Sequence, residues 1–298
     1  MPQSAQTAVL NPVLHPDWLT PDWPAPAHVK AVFTTRQGGV SPAPWDSFNL
    51  GDHVGDDAGR VAANRALLQK HLGQRPVFLK QVHGNDVLDQ RSDMPDGLPA
   101  DACVVSSPGL AATIMVADCL PVLLTDEHGL AVAAAHAGWR GLAGEVSDAS
   151  SPHCGVIEAV FRSFSAVVQA GQAHPATENI AKSTLAWLGP CIGPSQFEVG
   201  SEVKTFFETL QPGSGVFFRP TSAQKYLCDL PGVARARLHA LGITQIFGND
   251  GSIQWCTFSN PDRYFSHRRD AGPTAAVASG SGSVARTTGR MAACIWLV

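Results

Sequence analysis

Residues 114–126 read "IMVADCLPVLLTD", two apolar runs separated by an acid, a thiol and, two residues on, a proline. Ile114 to Ala117 and Leu120 to Leu124 have the length and unbroken hydrophobicity of strands buried on both faces. A thiol between such strands needs no special account, because free cysteine behaves as a small hydrophobe. A carboxylate beside it does, because a buried charge must be paired or hydrogen-bonded. The stretch alone leaves Cys119 open as packing, as a nucleophile or as a metal ligand.

Similar runs surround it. "ACVVS", "AATIMVA", "PVLLTD" and "LAVAAAH" follow one another between 102 and 136, divided by turn signals such as "SPG" and "DEHG". They predict a mixed, largely buried sheet with hairpins. Strands are also expected at "VKAVFTT" (29–35), "VFLKQVHG" (77–84), "ITQIFG" and the terminal "AACIWLV". Helices are expected at "DDAGRVAANRALLQKHLG", with an Asp cap and Gly73 at its stop, and at "GVIEAVFRSFSAVVQAG", with Ile157, Val160, Phe161, Phe164 and Val168 at helical spacing. Two more are expected at 201–210, capped by Ser201, and at 229–241, capped by Asp229 and stopped by Gly242. Residues 1–28 are Pro-rich and read as an extended arm, and 270–289 as a flexible, low-complexity surface insertion. No repeat or linker divides 29–298, so the expectation is one α+β domain, a layered α/β sandwich around that mixed sheet.

The chain has 298 residues, 44% hydrophobic and 15% charged, with a formal net charge of −4. Nothing in that balance favours an electrostatic grip on nucleic acid or on an anionic membrane. No run approaches the roughly 18 apolar residues that would span a bilayer. The N-terminal segment has neither a basic region nor a continuous apolar core of the secretory kind. The seven cysteines are dispersed with no CxxC pair, which predicts reduced thiols in a cytoplasmic protein.

His83, Cys119 and His136 each terminate an apolar run and are followed by turn chemistry, in "VHGND", "ADCLP" and "AHAGWRG". Two imidazoles and a thiolate would suit Zn²⁺ with a fourth position open, and copper equally by donor type. The spacing matches no short-range metal motif, so packing remains a competing reading. In "AHAGWRG", Gly138 and Gly141 permit close backbone approach and Arg140 offers a planar fork for phosphate or carboxylate. Its alternative is a tight turn with a solvated arginine. Arg36 in "TTRQGG" and Arg268 and Arg269 in "FSHRRD" add guanidiniums, together with His267.

Taken in order, "TTRQGGVS", "SFNLG", "KQVHG", "ADCLPVL", "HAGWRG", "GPCIGP", "FEVG", "FSHRRD" and "TGRMA" closely resemble the blocks of the multicopper polyphenol oxidase (laccase-like) family, whose members are also described as purine nucleoside phosphorylases. The resemblance runs from about residue 30 to the C-terminus. It implies a layered fold shared with a cysteine-hydrolase-like toxin domain and a metal set on His83, Cys119 and His136. It also implies zinc-dependent phosphorolysis of adenosine, inosine and methylthioadenosine, with adenosine deamination. Copper-dependent laccase activity and removal of wrongly built peptidoglycan precursors are further roles attached to the family. This chain departs from the pattern in an extra "SDASSPHCG" (147–155) and a long stretch between "RRD" and "TGRMA".

Phosphorolysis on this reading would use Arg36 and Arg140 for phosphate, with Arg268 or Arg269 in support. Asn49 and Gln81 would contact base or ribose. Asp118 would shuttle a proton beside Cys119 or, pointing away from it along a strand, buttress backbone or a histidine behind the metal ligands. Two rivals differ in class. One is a metal-free hydrolase with Cys119 as nucleophile and His136 as base. The other is a copper oxidase with Met115 as a weak axial ligand.

Overall fold

The computed structural model describes residues 14–144, 154–171, 179–271 and 287–298. Most of the expected flexible insertion, the first thirteen residues of the expected arm and most of "SDASSPHCG" lie outside the described residues.

The single mixed sheet expected from the sequence is two sheets packed face to face. One has four strands in the order β1 (Val29–Phe33), β13 (Met291–Leu297), β5 (Leu110–Val116) and β2 (Arg75–Val77). The other has six, in the order β12 (Gln245–Gly248), β8 (Thr184–Leu188), β6 (Leu120–Asp126), β7 (Val132–Ala137), β4 (Ala102–Val105) and β3 (Val87–Asp89). A three-stranded sheet of β10 (Phe218–Ser222), β11 (Lys225–Cys228) and β9 (Glu198–Gly200) stands apart from both. The two runs of the opening stretch therefore fall in different sheets, β5 in one and β6 in the other. Asp118 and Cys119 make the crossing between them.

Each strand's two-residue period assigns its side chains to two cores. Phe33, Ile114, Val116, Ala293 and Ile295 meet Cys103, Leu123, Ala134 and Trp187 between the sheets. Val32, Ala111, Ala292 and Trp296 turn outward against Leu68 and Leu72 of α1 (Ala58–Leu72). On the opposite side, Val104, Val122, Leu124 and Ala135 pack against α3 (Val156–Gly171) and α6 (Leu230–Ala240). The result is a four-layer α/β/β/α sandwich in one domain. The expected helices α1, α3 and α6 appear with Asp57, Gly73 and Asp229 in their capping roles. α5 (Ser201–Leu210) is capped one residue before the expected Ser201, by Gly200, whose backbone leaves β9 directly. α2 (Trp139–Ala143), α4 (Ile180–Ser183) and α7 (His267–Asp270) are single turns. Among the described residues no helix is long and apolar enough to cross a membrane.

Two expectations change. Residues 14–28 pack on the domain, with Trp18 buried against Phe48 and Leu19 bridging Phe33. Residues 78–84 are not a strand, since β2 ends at Val77. Beyond it, Gln81 uses its side-chain amide to pair both the N–H and the C=O of Met115 at 2.8 Å. The chain is thereby released from the ladder and free to turn at His83.

The helix layer gives a direct stability test. Phe164 is fully buried at the centre of the α3 face. Phe164→Ala is expected to cost about 3–5 kcal/mol, read from the urea midpoint at unchanged slope.

Candidate metal centre and cavity

β6 and β7 are antiparallel neighbours, with Leu120 opposite Ala137 and Pro121 opposite His136. That register sets Cys119, just before β6, beside His136 near the end of β7. His83 comes from the loop after β2, and its ring lies 4.8 Å from that of His136, edge to face. The ligand atoms of His83, Cys119 and His136 all lie within 4.8 Å of one another. Gly138 makes this approach possible, since a Cβ there would sit 3.0 Å from Cys119 Sγ and 3.2 Å from His83 Cδ2. A Cβ on Gly141 would fall 2.6 Å from the carbonyl oxygen of Gly84. The two glycines of "AHAGWRG" thus serve close packing of the His83 loop on α2.

One residue that the sequence reading passed over organises this corner. Asp101, fully buried, accepts His136 Nδ1 at 2.8 Å. It also accepts the backbone N–H groups of Val82 (3.0 Å), His83 (2.9 Å) and Gly84 (2.8 Å). These bonds hold His83 at φ +64, a left-handed conformation uncommon for a non-glycine residue. They also occupy Nδ1 of His136, so that Nε2 is the nitrogen left for Cys119 and a metal. Burial works to raise the Asp101 carboxyl, but His136 and the backbone N–H groups keep it below its ordinary range.

The electrostatics suit a thiolate. Burial alone would push the Cys119 thiol up. The charge of His136 and hydrogen bonds from His136 and His83 outweigh it and bring the thiol down to about 6. His136 is pushed down by burial and, more strongly, up by the thiolate and Asp101, to about 9. Cys103 and Cys294, buried among apolar neighbours, are pushed up to about 12. Metal-free protein is therefore expected to react with iodoacetamide first at Cys119. The rate should rise through pH 6, with Cys103 and Cys294 silent below about pH 10 while the fold holds. Peptide mapping after timed alkylation reads this directly.

Asp118 buttresses backbone and hydroxyl groups, and no hydrogen bond joins it to a histidine among the described residues. It sits at φ +92 in the crossing. Its carboxylate accepts Thr257 Oγ1 (2.6 Å), Ser266 Oγ (3.0 Å) and the backbone N–H of Arg268 (2.6 Å). It sews "FSHRRD" to the crossing and so brings Arg268 to the site. Histidine support belongs to Asp101 instead.

The three ligand residues lie in the wall of a cavity of about 330 Å³, within the range of small-molecule sites. Its lining includes Gln81, Asp118, Arg140 and Arg268 from the expected set. Arg140 is exposed, with its guanidinium 4.4 Å over the Trp139 ring and no hydrogen bond from it among the described residues. Arg268 reaches the carbonyl of Glu198 at 2.9 Å. Three expected contacts do not line the cavity. Arg36 pairs with Asp46 and the carbonyl of Pro261. Arg269 is used by Asp270 and the carbonyls of Thr257, Phe258 and Tyr264. Asn49 is a buried hub for Gly51, Asp56 and the backbone N–H of Arg290. The cavity adds residues outside the expected set, among them His53, Phe197 and Arg290. The block "TGRMA" was the available signal for Arg290. Met115 also lines the cavity, with its sulfur 4.0 Å from Arg65 Nη2.

The donor set fits a borderline-soft divalent ion: two imidazoles and a lowered-pKa thiol, one imidazole oriented by a buried carboxylate. Copper is compatible with the same donors.

Comparison with known proteins bears on the same blocks. Residues 30–298 match the family described as multi-copper polyphenol oxidoreductase laccase. The chain is 43% identical over 281 residues to purine nucleoside phosphorylase PA4543 of Pseudomonas aeruginosa, covering 94% of this chain and 98% of that protein. It is 41% identical over 282 residues to purine nucleoside phosphorylase YfiH of Escherichia coli K12, covering 94% and 98%. Among solved structures, Neisseria meningitidis protein NMB0706 superposes with a TM-score of 0.76 at 38% identity, covering 94% and 99%. YlmD of Geobacillus stearothermophilus superposes with a TM-score of 0.72 at 30% identity, covering 91% and 92%. Shared sequence across nearly the whole length, with a shared fold, makes this chain a member of the multi-copper polyphenol oxidoreductase laccase family.

Proposed function

We propose that the protein is a zinc-dependent purine nucleoside phosphorylase that cleaves adenosine, inosine and methylthioadenosine with phosphate and also deaminates adenosine. The observation that carries this reading is the union, in one cavity, of a His–Cys–His donor set with guanidiniums and apolar walls. The names of the relatives at 43% and 41% identity support it. Zinc held by His83, Cys119 and His136 would supply Lewis acidity, stabilising negative charge that develops on a substrate oxygen.

The chain's own groups supply the rest. Trp139, Ile192, Phe197 and Leu230 offer apolar surface to a flat base. Arg140 and Arg268 present positive charge from opposite sides of the sequence, one after β7 and one in α7. Asp101 fixes the His136 tautomer, and Asp118 fixes the segment that carries Arg268. In the reaction the C1′–N9 bond breaks, a phosphate oxygen bonds to C1′, and the departing purine nitrogen takes up a proton.

The test is incubation of zinc-loaded protein with adenosine, with and without phosphate, with products identified by mass. Adenine and ribose 1-phosphate formed only with phosphate is the expected result, and no product from any purine nucleoside would overturn the reading. Copper-loaded protein assayed on a phenol under the same conditions separates the oxidase alternative. A second reading has its own observation: Asp101, His136 and Cys119 form a connected carboxylate–imidazole–thiol chain of the kind used in covalent hydrolysis. His83 is superfluous to that chemistry and integral to a metal set, which favours zinc. Activity toward peptidoglycan precursors that survives metal stripping and dies on alkylation of Cys119 would reverse that preference.

A further inference from the structure

We propose that the phosphate of this reaction binds against Arg290, on the cavity wall that Arg290 shares with His267 and Arg268, with His53 at its rim. The assignment rests on the phosphorolysis reading and adds to it the place of the anion.

Arg290 is held in position by a built mount. Its backbone N–H donates to Asn49 Oδ1 at 2.9 Å. Its stem passes over Gly51, where a Cβ would lie 2.7 Å from Cγ and 3.2 Å from Cβ of the arginine. Nη1 donates to the carbonyls of Thr288 (3.0 Å) and Gly289 (3.2 Å). The remaining donors, on Nε and Nη2, make no hydrogen bond among the described residues, and no carboxylate there forms an ion pair with this guanidinium. The contrast is with Arg36, Arg65 and Arg269, each paired with an aspartate.

A half-buried guanidinium with no carboxylate in contact among the described residues is costly to keep in place. Burial lowers its pKa even though the charges of Cys119 and Asp118 act the other way. Arg268, on the same lining, adds to the positive field. His53 and His267 are both held down first by burial and next by the charge of Arg290. The neutral imidazoles can donate to an anion, and the two guanidiniums, unfavourable together when alone, become favourable around a doubly charged one. Arg290 keeps free the two adjacent donors that form a bidentate contact with a phosphate. Arg140 is different: exposed, stacked on Trp139 and carried on another segment, so it lacks such a mount.

The chemistry balances at this place. The hydroxyl oxygen of HPO₄²⁻ bonds to C1′, the C1′–N9 electron pair leaves with the purine, and the phosphate proton goes to the purine nitrogen.

The test uses the full-length, zinc-loaded protein and two variants with different failure modes. Arg290→Met removes the charge; Gly51→Ala keeps it and displaces the stem. In both, KM for inorganic phosphate is expected to rise about 10- to 100-fold, the loss of one or two charge-assisted hydrogen bonds, with a smaller change in KM for the nucleoside. The rise in Tm that inorganic phosphate gives the unsubstituted protein, with or without zinc, should be lost in Arg290→Met and partly restored in Arg290→Lys. Unchanged phosphate KM and unchanged phosphate-dependent Tm in both variants would overturn the assignment while phosphorolysis stands. If the unsubstituted protein releases no base with phosphate, the underlying reading fails. The thermal shifts then decide separately whether the anion site exists.

Discussion

Cys119→Ala is expected to abolish stoichiometric zinc binding and to lower phosphorolysis by about three powers of ten or more. The variant removes the only sulfur donor in the set and leaves two imidazoles, too few for a closed or catalytic zinc site. Lewis-acid stabilisation is worth several kcal/mol, and each 1.36 kcal/mol is a factor of about ten in rate. Two measurements check it: metal per chain by elemental analysis after dialysis, and kcat/KM for adenosine with saturating phosphate. The fold is expected to remain, because Cys119 is half-buried and adds little apolar burial. Adding excess zinc separates two causes. Partial recovery of rate means the site survives at lower affinity, as two histidines would leave it. No recovery, together with full activity of metal-stripped unsubstituted protein, would identify Cys119 as a nucleophile and sink the zinc reading.

The second large effect is on Asp101, and it combines stability with metal affinity. Asp101→Ala takes one acceptor group from four donors: His136 Nδ1 and the N–H groups of Val82, His83 and Gly84. Each donor left unpaired in a buried place costs about 1–3 kcal/mol, so several kcal/mol of stability should disappear. The His83 loop, held at φ +64 by these bonds, is expected to relax away from Cys119. Zinc affinity should fall at least 10- to 100-fold, the usual cost of losing a carboxylate behind a histidine ligand. Chelator competition reads the affinity and urea denaturation the stability. Asp101→Asn is the discriminating variant. It keeps an oxygen for His136 but presents N–H₂ toward backbone N–H groups, so stability should drop while affinity suffers less than in alanine. Equal zinc affinity in all three proteins would show that Asp101 is only a scaffold for the fold.

The local elements were largely legible before folding. Asp57 and Gly73 bound α1, Asp229 opens α6, and the spacing of Ile157, Val160, Phe164 and Val168 places one face of α3 on the core. These signals lie within one turn or one helix face, where neighbours in the chain are neighbours in space. His83, Cys119 and His136 were legible as candidates, since imidazole and thiol at the ends of apolar runs are properties of the residues. Residue type and spacing left packing open, and the family blocks joined them as one set. Cys119 in "IMVADCLPVLLTD" accordingly sits between two histidines, as its residue type allowed.

Long-range pairing settled the rest. β5 and β6 are apolar on both faces, so nothing along the chain shows that they part into different sheets at Asp118. Asp118 itself faces Thr257, Ser266 and Arg268, groups about 140 to 150 residues away in sequence. Arg36 and Arg290 have the same chemistry in the chain, yet one meets Asp46 and the other, among the described residues, carbonyls and a cavity. A guanidinium's role depends on which acceptors come within about 3 Å of it, and segments distant in sequence supply them. Residue type and local spacing thus set the available helices, strands and ligands, whereas tertiary packing of segments distant in sequence brought Asp101, Asp118 and Arg290 to their partners and so made the site.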